Sequence, residues 1–167
     1  MQLPYRKPGK FSRPLFDPHI TQEKHDELTQ TLETLLRKRP HAAREVARLA
    51  ELGDFSENVE YQLAKGRLRR INEQILVLEN QLKQAEIIHT DHSSPFIELG
   101  DTLEVSVNGS TKTLTILGSS ETDPVRGIIS QHSPIGTALL GKKIGETVVV
   151  PIGKRTVTYT ILSKKRP

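Results

Sequence analysis

Apolar residues recur along this chain with two different periods, and the change between them divides it. From Thr21 the spacing is helical: Leu28, Leu32, Leu35, Ala42, Val46 and Leu49 follow steps of three and four, with only Arg39 breaking the series. Thr21 is placed to cap this helix, and Glu23 falls in its first turn, where the helix dipole favours negative charge. Pro40 predicts a kink or an interruption, because proline lacks the N–H that bonds the carbonyl one turn back. Gly53 reads as the glycine just past the helix end. The second run is unbroken: Tyr61, Ala64, Leu68, Ile71, Ile75, Leu78, Leu82 and Ala85 keep the three-four alternation of a coiled-coil seam. Only a short turn around Gly53–Ser56 separates the two, so the helices must lie antiparallel. Helices of about 30 residues, rising ~1.5 Å each, make a rod of roughly 45 Å.

From about Pro95 the period becomes two. Thr102–Val107, Lys112–Leu117, Gly127–Ser130, Glu146–Val150 and Thr156–Leu162 are rich in Val, Ile, Thr and Leu, as strands are. Asn108-Gly109 marks a tight hairpin. Ser133-Pro134 reads as N-cap and first residue of a short helix closed by Gly141. The fold class is α+β. An antiparallel coiled-coil finger over residues 21–90 is followed by a small antiparallel β domain with a short helix over 95–165, joined by the polar link His89–Ser94.

Residues 1–20 form a Pro-rich basic arm, read here as disordered. Pro4, Pro8, Pro14 and Pro18 forbid a continuous helix, and Arg6, Lys7, Lys10 and Arg13 face only Asp17. Tyr5, Phe11 and Phe16 are interleaved, which also suits a tether to RNA or to a partner surface. The whole chain carries +4 net charge and a pI near 9.4, a lean toward nucleic acid or an acidic partner. It contains no cysteine, which excludes disulfides and Cys-ligated zinc. No apolar run approaches the roughly 20 residues that span a bilayer, and no apolar stretch follows the basic N-terminus. A cytoplasmic protein without membrane contact is expected.

Against this basic background, the segment ELGDFSENVEY (51–61) gathers Glu51, Asp54, Glu57 and Glu60 with no lysine or arginine. Asp54 and Glu57, three apart at a helix start, fit a capping box. Capping accounts neither for Glu51 and Glu60 nor for the position at the end of a rod. The other reading is a divalent cation: carboxylate oxygens suit Mg²⁺, which takes one or two of them and keeps several waters. Two carboxylates on a solvated tip hold it weakly unless a second macromolecule supplies further ligands. Arg44 and Arg48 on the first helix, with Lys65, Arg67, Arg69 and Arg70 on the second, form a collar behind the tip that would attract phosphates. His89 and His92 have no third ligand beyond Asp91 and read as solvated link residues.

GDFSENVEY and the heptads through LENQLKQAEII resemble the tip and second helix of the Gre transcript-cleavage factors of bacterial RNA polymerase. KRPHAAREVARLAELGD resembles the matching end of their first helix, proline included. YQLAKGRLRRI looks more like the GreB type than the GreA type, and ISQHSPIGTALLGKKIGETVVV resembles their FKBP-like domain. The resemblance covers about Thr21 to Leu162. It implies an accessory factor, not a free-standing enzyme, that inserts its coiled coil into the polymerase secondary channel. Asp54 and Glu57 would then help hold a second Mg²⁺, shared with the polymerase, and orient water. The polymerase would cleave the backtracked RNA, whose 3′ end would lie along Arg44, Arg48, Lys65 and Arg69. Ser133, Pro134 and Ile135 would dock on the channel rim. Apart from the resemblance, a coiled coil closed within one chain predicts a monomer when free. Lys24 departs from the family pattern, which has a glycine there, and Gly66 sits in the second helix, costing about 1 kcal/mol against alanine. A non-cleaving channel regulator and a generic coiled-coil adaptor are the rival readings. Prolyl isomerase activity finds no aromatic-lined pocket, since only Phe96 and Tyr159 are aromatic from Pro95 onward.

Overall fold

A computed structural model describes residues 17–51, 59–90, 93–153 and 155–165. Two long helices, α1 (Gln22–Glu51) and α2 (Val59–Gln84), pack along each other. The inward residues are those of the two heptad series. Ala42 and Leu49 of α1 and Ala64 and Ile75 of α2 are buried, and the remaining seam positions are half-buried. Arg39, the break in the first series, is exposed. Thr21 caps α1 as expected, its Oγ1 accepting from the Lys24 N–H at 3.2 Å.

Pro40 does not interrupt α1, which continues through it for 30 residues. The carbonyl that loses its N–H partner belongs to Leu36, an exposed residue on the outer side of the helix. Leu35 and Ala42, on either side, keep the helix seated on α2. The seam therefore outweighs a local helix breaker.

The folded chain starts earlier than the periodicity suggests. The last four residues assigned to the arm, Asp17 to Ile20, are part of the fold, and Asp17 and Ile20 are buried. Strand β1 (His19–Ile20) pairs in parallel with β2 (Glu86–Ile87), immediately after α2. Backbone bonds from Glu86 N–H to Pro18 O and from Ile88 N–H to Ile20 O close the base of the hairpin.

The second unit is a five-stranded sheet of β3 (Thr102–Val107), β4 (Ser110–Leu117), β5 (Ile128–Ser130), β6 (Thr147–Ile152) and β7 (Arg155–Lys165). Its spatial order is β5-β4-β3-β7-β6. All pairs are antiparallel except β4–β5, which is parallel. Two 3-10 turns, Ser119–Glu121 and Pro124–Arg126, carry the chain between those two strands. Asn108 (φ 51°) and Gly109 (φ 81°) make the expected hairpin turn between β3 and β4, with both central residues left-handed. Alternate residues Leu103, Val105 and Val107 of β3 point inward, against Ile116, Val150 and Ile161 and the short helix α3 (Pro134–Leu139). Ile97 and Leu139 complete this core at 1% and 0% exposure, each such burial contributing about 1.5–3 kcal/mol. One buried ion pair, Lys164 Nζ to Asp101 Oδ2 at 2.8 Å, ties the far end of β7 to the entry of β3.

Candidate functional site

The acidic tip lies between the end of α1 and the start of α2. Asp54 and Glu57, like Gly53, Phe55, Ser56 and Asn58, are outside the described residues. Their flanks are described: Glu51 and Glu60 are exposed, and Val59 and Leu63 beside them are 69% and 59% exposed. Those two apolar side chains lie off the seam, so heptad reasoning passed over them. Among the described residues, no group of three or more His, Cys, Asp or Glu could hold a metal ion.

Behind the tip the expected cations are all on the outside of the finger. By helix rise, Arg48, Lys65, Arg44 and Arg69 stand roughly 5–15 Å from the nearest described end. Arg44, Arg48, Lys65 and Arg69 are exposed. They are not equally available. Arg48 is held by Glu45, with Nη2–Oε1 at 2.9 Å and Nε–Oε2 at 3.2 Å. That hydrogen bond, more than any other influence, lowers the Glu45 carboxyl below its ordinary value and raises the Arg48 guanidinium above its own. Arg69 pairs with Glu73 at 2.9 Å. Arg44 and Lys65 carry no ion pair among the described residues and can take a phosphate without first releasing a carboxylate. On one side of the seam, Lys38, His41, Glu45 and Arg67 rim a groove of about 410 Å³ over Ala42 and Ala64. Two alanines facing each other leave that space.

At the opposite end of the finger the sheet domain and the helices meet on two acids. Asp17 accepts from the Ser119 N–H at 2.8 Å, Ser119 Oγ at 3.0 Å and Gln131 Nε2 at 3.0 Å. His19 adds its backbone N–H at 3.2 Å and its ring Nδ1 at 3.1 Å. Burial opposes ionisation of Asp17, but these donors outweigh it and hold the carboxyl well below the usual carboxylate range. Glu121 completes the joint, one oxygen accepting from Thr21 N–H at 2.8 Å and the other from Thr21 Oγ1. Gly118 permits the close approach: a Cβ there would lie 1.8 Å from the His19 carbonyl oxygen. In the sequence Asp17 stands as the lone acid of the arm, and nothing local marks Glu121. Their partners lie about a hundred residues away, beyond any local signal.

The loop before α3 adjoins this joint. His132 Nε2 lies 3.5 Å from Asp17 Oδ2. Ser133 is the helix cap, its Oγ accepting from Gly136 N–H at 3.0 Å and donating to Ser130 O at 2.7 Å. Ile135 packs partly against the sheet core, which leaves Pro134 as the exposed member of the expected docking set.

Two family descriptions match the chain. "Transcription elongation factor, N-terminal" covers residues 19–87, and "Transcription elongation factor, GreA/GreB, C-term" covers residues 92–166. Transcription elongation factor GreA of Mycoplasma capricolum is 36% identical over 151 residues, spanning 87% of this chain and 96% of that protein. GreA of Oceanobacillus iheyensis is 38% identical over 148 residues, spanning 85% and 94%. A solved structure, GreA factor homolog 1 (Gfh1) of Thermus thermophilus, aligns at 24% identity over 90% of this chain and 100% of its own, with a TM-score of 0.41. The assignment rests on the sequence matches, and these give no support to a leaning toward the GreB type. A helical finger continuous with a sheet domain, matched across both parts, places this chain in the GreA/GreB family of transcription elongation factors.

Proposed function

We propose that the finger enters the secondary channel of a bacterial RNA polymerase and stimulates that enzyme's own cleavage of backtracked RNA. The chain acts as an accessory, in the cytoplasm where transcription proceeds. The observation that carries this reading is the placing of four carboxylates in residues 51–60, where two helices of about 40–45 Å are joined. A long, narrow, well-packed pair of helices serves to deliver whatever its end carries. The seam closes within one chain, so a monomer suffices.

Asp54 and Glu57 are the residues that would hold Mg²⁺. Two carboxylates fit a hard cation that keeps most of its waters, and they are too few to retain it alone. When bound, the ion supplies charge neutralisation and a water of lowered pKa at the phosphodiester. The chain's own work is to position. The seam fixes the direction of the finger. Arg44 and Lys65, which have no ion pair among the described residues, attract the RNA phosphates, and Arg48 and Arg69 join once Glu45 and Glu73 release them. Pro134 meets the channel rim, with Ser133 holding the loop in shape.

The test is a purified polymerase stalled and backtracked on a template, with Mg²⁺ and either parent or variant chain. Asp54→Asn and Glu57→Gln are expected to slow RNA shortening roughly 10–100-fold, as loss of metal-positioning groups does, while polymerase binding stays unchanged. Binding without shortening by the parent chain would point to a non-cleaving channel regulator. Absence of binding would leave a coiled-coil adaptor.

A further inference from the structure

Gly66 stands inside a helix with no reason for it in the rest of the fold. It lies in α2, where glycine is the least favoured residue after proline. Its backbone is helical, so no left-handed turn demands it. A Cβ added there would meet no atom of the described residues within 4 Å, so no neighbouring element needs the space. The line of residues that shares its face is largely apolar. Val59, Leu63, Gly66, Arg70 and Val77 follow steps of four, three, four and seven, on the side of α2 away from the seam. Val59, Leu63 and Val77 are 69%, 59% and 54% exposed, and among the exposed apolar side chains of α2 only Leu76 is off this line.

Two apolar side chains four apart, with a glycine three further on, are what one helix offers another: anchors, and a place where two backbones can approach closely. Charge decides the occupant. Between Val59 and Arg70 the chain carries Lys65, Arg67, Arg69 and Arg70 against Glu60 alone, and all four cations are exposed. Arg70 lies in the line, and Arg67 and Arg69 border it on either side. A second copy of this chain would bring these cations against their like. Residues 1–16, whose only charged side chains are Arg6, Lys7, Lys10 and Arg13, are refused for the same reason. A helix with acidic borders is attracted.

We infer that Val59, Leu63 and Gly66 form a docking face for an amphipathic α-helix of a partner protein. The partner's apolar line crosses α2 at Gly66, and its acidic borders meet Arg67 and Arg70. The glycine weakens the free finger and admits the partner's backbone. Lys65, about a third of a turn round α2 from this line, stays available to RNA. The helical occupant follows from the face and its charge. That it belongs to the polymerase and lines the channel rests on the reading of the finger given under Proposed function.

The test is the affinity of purified bacterial RNA polymerase, free of nucleic acid, for full-length chains on a sensor surface, measured beside each chain's unfolding midpoint. Gly66→Ala is expected to raise the midpoint by about 2–4 °C and yet weaken polymerase binding at least about 5-fold. Gly66→Leu is expected to weaken it further, since the larger side chain holds the two backbones apart. Val59→Ala with Leu63→Ala should lose at least about 10-fold, with a midpoint within about 2 °C of the parent. Arg67→Glu with Arg70→Glu should weaken binding most at low salt. Parent affinity in both Gly66 variants and in the apolar pair overturns the inference. Equal losses from alanine and leucine would assign Gly66 to softness of α2, and losses seen only when extruded RNA is present would assign the face to the transcript; each overturns the docked helix. A parent chain that does not bind polymerase overturns the channel reading and this face together. RNA cleavage by the parent, with Gly66 variants that bind as the parent does, counts against the face alone.

Discussion

Replacing Asp17 with asparagine measures how strongly charge holds the finger to the sheet domain. The side chain is 1% exposed and receives hydrogen bonds from Ser119, Gln131 and His19 between 2.8 and 3.2 Å. Asparagine keeps one acceptor oxygen and turns an NH₂ toward donors already present. Charge-assisted bonds contribute about 1.5–3 kcal/mol each, so losing the equivalent of one to two of them costs about 3 kcal/mol. For a chain of this length that lowers the unfolding midpoint by roughly 6–12 °C. Acid sensitivity is the second readout. The folded carboxyl ionises more readily than the unfolded one, whose value is about 3.9, so its contribution is complete above that pH and is lost progressively below it. Calorimetry from pH 7 down to pH 3 should show the gap between parent and variant narrowing as the solution is acidified below about pH 4. A midpoint within about 1 °C of the parent at pH 7, or a gap that widens in acid, refutes the claim that an ionised Asp17 holds this joint.

Two further substitutions address the joint and the shaft. Gly118→Ala puts a methyl against the His19 carbonyl, a backbone atom that cannot swing aside, and should cost about 1–3 kcal/mol. Faster hydrogen exchange at the Glu86 and Ile88 amides, which bond to Pro18 and Ile20, would show β1 lifting away. Ile75→Ala empties a 5%-exposed seam position and is expected to cost about 2–5 kcal/mol in chemical denaturation followed at 222 nm. Val77→Ala, at 54% exposure two residues on, should stay within about 0.5 kcal/mol.

Most of the fold was legible because it is written in local repeats. Every seam position read from the heptads is buried or half-buried apart from Arg39, which the series itself flagged. The Asn108-Gly109 turn and the Ser133 cap are short-range chemistry, and both formed as read. What the sequence hid is what depends on distant partners. The β1–β2 pair, the parallel β4–β5 pair and the Asp101–Lys164 ion pair leave no periodic trace. Of the two outcomes Pro40 allowed, interruption does not occur, because contacts supplied by α2 carry the helix through it. In the site, composition located the collar cations but not their partners. That Arg48 and Arg69 are engaged while Arg44 and Lys65 have no ion pair among the described residues depends on side-chain geometry three and four residues away on the same helix.

The sheet order carries a consequence for synthesis. Strand β7 sits between β3 and β6, so β3 has a neighbour on one side only until β7 is made. Between the two lie nearly 50 residues, which at about 5–20 residues per second leaves an open strand edge on the ribosome for roughly 2–10 s. During that interval the β3–β4 hairpin offers a row of unpaired amides and carbonyls to any extended chain nearby. A nascent-chain chaperone covering that edge, or slow codons placed after β7 instead of before it, would shorten or protect the interval in which the edge is open.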